Sequence, residues 1–181
     1  MCSSDLPAVF PIPLDALSAK LTVRQVEPGG GEFTVGEFRV RAMRLRHPGT
    51  TLGYRLTPAG GGASMAYVTD NELGSGGHYD VPGSWRNDFI AFLANTELLI
   101  HDAMYTPQEL EQHRGWGHST FEEAVTLAAD AGVRRLVLFH HEPEHGDADV
   151  DGMLAGARRA AQARGTPAEV LAAQEGATLT L

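Results

Sequence analysis

Glu97-Leu98-Leu99-Ile100-His101-Asp102, followed by Thr106-Pro107-Gln108-Glu109, Ser119-Thr120-Phe121-Glu122 and Leu136-Val137-Leu138-Phe139-His140, decides the fold class of this chain. The first and last of these are short apolar runs bounded by polar residues, the pattern of buried strands. Between them stand two helix starts. Each fits a capping box, in which a hydroxyl and a carboxylate satisfy amides that the first helical turn leaves unpaired, and Pro107 adds the residue favoured at the first helical position. In the second box the spacing makes Ser119 the cap and Glu122 its partner. Strand, helix, helix and strand in succession predict an α/β layer structure.

Downstream, Phe121, Ala124, Val125, Ala128 and Ala131 recur at helical spacing, and Gly132 ends the stripe. A last amphipathic helix is expected from about Val150 to about Arg164 with Gly165 as its C-terminal cap, and residues 170–172 and 177–180 read as short closing strands. Upstream, Trp85, Phe89, Phe92 and Leu93 make one helical face. Before them the period is two: residues 21–26, 32–35, 38–45 and 66–69 read as half-buried antiparallel strands around Gly-rich turns. Gly53 is a poor residue for a strand interior, so the remaining strand is expected to begin at Tyr54-Arg55-Leu56 and to form a hairpin across Gly60-Gly61-Gly62.

Composition bounds the function. The 181 residues are 43% hydrophobic, with no apolar run near the ~20 needed to span a bilayer, so one soluble domain over residues 7–181 is expected, with no membrane partner. Met1-Cys2-Ser3-Ser4-Asp5-Leu6 resembles translated sequencing-adaptor DNA and is expected to be a non-native leader. The lone Cys2 excludes an internal disulfide, and the cytoplasm is the default location. With 14 Lys+Arg against 23 Asp+Glu and a formal charge of -9, the chain lacks the basic balance of phosphate-backbone binders. A small-molecule substrate is therefore expected, with no nucleic acid as main partner; association into a homo-oligomer is left open.

The chemistry-bearing residues gather at the ends of the predicted strands. His47 follows the strand ending at Leu45, Asp70 follows Val68-Thr69, His101-Asp102 follow Leu99-Ile100, and His140-His141 follow Leu138-Phe139, while His118 stands at a helix start. Strand ends are where open α/β sheets place their sites. Imidazoles and carboxylates ligate divalent cations, and one carboxylate can bridge two ions about 3.5–4 Å apart, where both act on a phosphoryl group. Asp70 is the natural candidate for such a bridge. Each residue has a plainer reading: His47 a turn residue before Pro48, Asp70 a turn cap before Asn71, His118 a polar flank of its helix. His101 reads as a buried, hydrogen-bonded histidine. His140 and His141 compete for one ligand position, and His145 and Asp147 read as solvated loop residues.

His47-Pro48-Gly49-Thr50-Thr51-Leu52-Gly53-Tyr54-Arg55, Tyr67-Val68-Thr69-Asp70, Leu99-Ile100-His101-Asp102-Ala103-Met104-Tyr105, Gly117-His118-Ser119-Thr120 and Leu136-Val137-Leu138-Phe139-His140 resemble, in order, the later motifs of metallo-β-lactamase-fold hydrolases of the ribonuclease Z and cyclic-phosphodiester hydrolase branch. The likeness runs roughly from Phe33 to Asp147. It implies the C-terminal portion of a four-layer αββα fold, with His47 at the first metal, Asp70 bridging both and His140 at the second. It also implies that His118 donates a proton to the leaving group and that Asp102 orients it.

The family's His-x-His-x-Asp-His motif, which supplies most ligands, does not occur among the eight histidines. Each ion would keep two ligands from this chain, fewer than the three of a catalytic zinc site, so weak metal binding and inactivity are expected of the chain alone. Two divalent ions are expected in a complete protein, zinc by its ligand preference and manganese or iron as alternatives. The absent N-terminal β-layer would leave apolar surface and sheet edges uncovered. Ribonuclease Z carries an Arg-Tyr pair after the last ligand where this chain has Glu142-Pro143-Glu144-His145, and the segment from Tyr54 to Asp70 is too short for a long basic arm. Transfer-RNA processing is therefore not expected, and a small phosphodiester or related molecule is. The alternative is a naturally short, metal-free domain that binds a ligand or partner on the same scaffold.

Overall fold

The computed structural model describes residues 31–181 together with Ser18, Thr22 and 24–29. Its sheet has seven strands in the spatial order β1 (Phe33–Val35), β2 (Phe38–Arg44), β3 (Leu52–Pro58), β4 (Met65–Val68), β5 (Leu98–Asp102), β6 (Arg135–Phe139) and β7 (Glu169–Ala172). The first four strands pair antiparallel and the last four parallel. Antiparallel neighbours need only short turns, whereas parallel neighbours need crossovers. Helix α1 (Trp85–Leu93) crosses from β4 to β5, α2 (Pro107–His113) and α3 (Phe121–Asp130) from β5 to β6, and α4 (Asp147–Ala163) from β6 to β7. The α/β class read from the central stretch is the class observed.

Alternation along the strands sorts the two faces of the sheet. Ala66 and Val68 of β4, Leu99 of β5, Leu136 and Leu138 of β6 and Val170 of β7 pack in one core with Phe89 and Leu93 of α1, Ala124, Val125 and Ala128 of α3, and Met153, Ala157 and Ala161 of α4. Residues of the other parity, Tyr67, Ile100, Val137, Phe139 and Leu171, line an apolar groove of about 350 Å³ with Ala177 and Leu179 of the tail.

Several boundaries differ from the sequence reading. Gly53 lies inside β3, paired with Met43, rather than ahead of it. A Cβ at this position would stand 3.0 Å from Leu45 Cδ2 and 3.2 Å from Val68 Cγ2, so close packing overrides the usual objection to glycine in a strand. Gly53→Val is expected to lower stability by about 1–3 kcal/mol through overpacking, read as a shift in the urea midpoint. Residues 177–180 form no strand, because the tail turns at Glu175-Gly176 and lays Ala177 and Leu179 over the apolar groove instead of extending the edge. Helix α4 begins earlier than expected, at Asp147, because Asp149 Oδ2 accepts from the Gly146 amide at 2.9 Å. Of the strand expected over residues 21–26, Leu21 and Val23 lie outside the described residues and 24–27 carry no strand. The expected leader, residues 1–6, also lies outside them. Among the described residues no helix is long and apolar enough to cross a membrane.

Candidate metal centre

The C-terminal ends of β4, β5 and β6 open on one end of the sheet, and the β2–β3 loop reaches the same place. His47 comes from that loop, Asp70 from the turn after β4, Asp102 from the last position of β5, His118 from the approach to α3, and His140 from the residue after β6. Asp70 Oδ1 lies 3.9 Å from His47 Nε2 and 3.8 Å from His140 Nδ1. Donor atoms that share a cation at about 2.0–2.2 Å stand about 3–4 Å apart, so one Asp70 oxygen is spaced to serve an ion on either side. Two groups of potential ligands result, His47 with Asp70 and His118, and Asp102 with His118 and His140; in each the donor atoms lie within 4.8 Å of one another. Imidazole and carboxylate together suit borderline divalent ions. Asp70 (φ 54°) and His140 (φ 61°) both adopt the left-handed backbone region. Side chains other than glycine take that region at a cost, and such strain collects at functional sites.

Asp102 is the buried anchor of the group, its side chain fully inaccessible. Its Oδ2 accepts from His118 Nδ1 at 2.7 Å, the Asn71 amide at 3.4 Å and, in the metal-free ring, His140 Nδ1 at 3.3 Å, a proton that a cation at that nitrogen would displace. Its Oδ1 accepts from the amides of Ser119 at 3.0 Å and Met104 at 3.2 Å. Burial pushes this carboxyl up, but the hydrogen bonds from His118, His140 and Ser119 outweigh it and hold the group at about 2. A carboxylate only accepts, so the contact assigns the His118 proton to Nδ1 and leaves Nε2 facing the site. The Asp102 hydrogen bond raises His140 above its ordinary range, against the opposing effect of burial. His47 and His118 meet edge to face with ring centroids 5.4 Å apart, and His118 meets His140 at 4.9 Å.

Of the residues that brace this arrangement, Asn71 and Leu73 are given no role by sequence reading, and Ser119 is given another one. Asn71 is fully buried; its Oδ1 accepts from the Arg46 amide at 3.0 Å and its side-chain nitrogen meets His101 Nε2 at 3.2 Å. The Leu73 amide donates to Ser119 Oγ at 3.1 Å, and Ser119 Oγ donates to the Asn71 carbonyl at 2.5 Å. The turn after Asp70 is thereby tied to the loops of both His47 and His118. Because its hydroxyl is engaged here, Ser119 is not the cap of α3. The capping box falls one residue later, on Thr120 and Glu123.

Gly117 (φ 98°) passes so close to His47 that a Cβ would lie 2.2 Å from its Cδ2, which only glycine avoids. His101 is buried as expected, with Nδ1 donating to the Asp102 carbonyl at 2.6 Å and burial lowering its pKa. Of the competing pair, His140 joins the group; His141 has both ring nitrogens buried without a partner among the described residues. His145 is not a solvated loop residue, because its Nε2 pairs with Glu109 Oε1 at 2.8 Å. Asp147 opens α4, exposed.

Residues 2–141 match the family described as beta-lactamase superfamily domain. Ribonuclease Z of Salinispora arenicola is 28% identical over 162 residues, 72% of this chain and 52% of that protein. Ribonuclease Z of Deinococcus radiodurans is 33% identical over 147 residues, 80% of this chain and 41% of that protein. The chain thus spans about half the length of these curated relatives. Among solved structures, the metallo-beta-lactamase fold protein YhfI from Bacillus subtilis superposes with a TM-score of 0.59 at 22% identity, covering 83% of this chain and 51% of that one. Human tRNase Z, short form, gives 0.54 at 22% identity, covering 82% and 45%. These likenesses establish the fold.

The ribonuclease relatives overturn the expectation that nucleic acid is not a main partner. The reasoning from charge fails for a physical reason. A count of -9 sums the whole chain, whereas binding depends on the local field, and the imidazoles of His47, His118 and His140 gather at one end of the sheet.

Proposed function

Because the chain belongs to the beta-lactamase superfamily, we propose that it is the C-terminal portion of a metal-dependent hydrolase that cleaves phosphodiester bonds of a nucleic acid, RNA foremost, in the cytoplasm. One observation carries the reading: His47, Asp70, Asp102, His118 and His140, from five separate segments, converge at donor spacing on one end of the sheet. His47, Asp70 and His140 would hold two divalent cations, zinc by ligand type, with further ligands from outside this chain. When bound, such a pair supplies Lewis acidity and lowers the pKa of water.

The remaining steps belong to the chain's own side chains. His118, oriented by Asp102, presents Nε2 to the leaving oxygen and transfers a proton to it, while ionised Asp102 stabilises the imidazolium that precedes the transfer. The N-terminal end of α3, beginning at Phe121 beside His118, adds a positive dipole that attracts the phosphate.

The test pairs sequence with assay. Resequencing the source DNA across the Met1 codon is expected to reveal His-x-His-x-Asp-His in frame upstream. The protein expressed from that longer frame should cleave a short RNA and bis(p-nitrophenyl) phosphate in a chelator-sensitive manner, whereas the 181-residue chain alone should not. A metal-loaded longer protein that cleaves the small diester but not RNA would overturn the nucleic-acid assignment; one that cleaves neither would overturn the hydrolase.

A further inference from the structure

We propose that Glu72 is a positioning residue of this site, its buried carboxylate holding the 115–117 turn so that His118 meets Asp102 and His47 meets Asp70. Glu72 is 1% exposed. Its Oε2 accepts from the Tyr79 hydroxyl at 2.6 Å, the Gly115 amide at 2.8 Å and the Gly117 amide at 3.1 Å, and its Oε1 accepts from the Gly77 amide at 3.2 Å. Among the described residues no cation forms an ion pair with it. An anion buried without a counter-ion is costly, and an apolar side chain would fill the same volume with less penalty. What the carboxylate does that an apolar group cannot is collect donors from two loops at one point.

Those loops bear directly on the site. Gly117 immediately precedes His118, and its α-carbon packs against the His47 ring. The Glu72 amide itself donates to the Arg46 carbonyl at 2.8 Å, beside His47. A shift of the 115–117 turn therefore moves both imidazoles together. All four groups facing the carboxylate are N–H or O–H donors, so the position requires an acceptor on both oxygens. Glutamate meets that requirement and glutamine, with one –NH₂, does not.

The inference rests on the reading of His118 as the proton-handling group but not on metal or substrate, so it is tested on the 181-residue chain itself by nitrogen NMR. The parent is expected to show His118 in one tautomer with its proton on Nδ1. Glu72→Gln should mix the His118 tautomers and speed amide exchange at Gly115 and Gly117 by about tenfold, while β5 and β6 amides keep their protection. Tyr79→Phe, which removes one donor and keeps the carboxylate, should speed exchange at the same glycines by about threefold.

A purely structural role would not mix the tautomers of His118 while sparing the central strands. The proposal is overturned by a folded Glu72→Gln chain with the parent's His118 shifts and glycine exchange, or by a parent whose His118 already mixes tautomers. Should Glu72→Gln fail to fold, the parent decides, and Gly115 and Gly117 amides that exchange there as fast as the exposed amides of Gly60 and Gly62 overturn the proposal. Failure of the hydrolase reading would appear in the cleavage assay and leave these spectra unchanged.

Discussion

His118→Ala, made in the longer protein, is expected to lower RNA cleavage by about 10²–10⁴-fold in kcat with little change in KM, the range for loss of a general acid. Its ring is 12% exposed and its one strong partner is Asp102 Oδ2 at 2.7 Å, so the substitution removes the proposed proton donor without hollowing the core. The leaving group provides the diagnostic. An RNA leaving oxygen is strongly basic and needs protonation as the bond breaks, whereas p-nitrophenolate does not. The same variant should therefore lose far less activity toward bis(p-nitrophenyl) phosphate. Equal losses on both substrates would remove His118 from proton transfer and leave it a ligand or a binding residue.

Asp102→Ala should cost the fold about 3–5 kcal/mol, measured by urea denaturation of the chain at neutral pH. The loss follows from the donors left behind: the Ser119 and Asn71 amides lose their acceptor in a buried place, and the Met104 amide and the His118 ring in a half-buried one. A pH series separates charge from volume. The carboxyl is held at about 2, below its ordinary 3.8; a depressed folded-state value means stability fully present above the unfolded value and lost as pH falls. The parent should therefore lose about 2 kcal/mol from this group as pH drops from about 5 through 3.8 towards 2. Asp102→Asn, which keeps the volume and has no charge to titrate, should lack that acid limb. A parent and an Asn variant with parallel acid profiles would refute the linkage.

Local signals made part of this legible. The start of α2 at Thr106-Pro107 is set by a cap and its partner within one turn, and the structure places it there. The strands β4, β5 and β6 follow from apolar runs, and their polar successors mark the site. Signals that depend on distant partners are not legible in this way. The sequence reading puts the cap on Ser119 with Glu122; the Asn71 carbonyl and Leu73 amide, brought up by β4, engage Ser119 and pass the box to Thr120 and Glu123. Gly53 looks like a strand breaker until Leu45 and Val68 are seen against it. Glu72 lies in a turn with no periodicity, and its partners are backbone amides of glycines, which have no side chain to pair with it in sequence. The one available hint was the abundance of glycine at positions 76, 77, 115 and 117, since backbones that approach a common point need room.

The order of the sheet has a consequence for how the protein is made. Among the described residues strands adjacent in the sheet are adjacent in the chain, so none of these strands has to wait for a later one to be inserted between two earlier ones. Pairing between sequence neighbours keeps contacts local and favours fast assembly, and it lets the sheet grow in step with synthesis from the ribosome, one ladder at a time. Because Asp70 follows β4, Asp102 ends β5 and His140 follows β6, these three side chains are brought together when β6 docks, before α4 and β7 have been added.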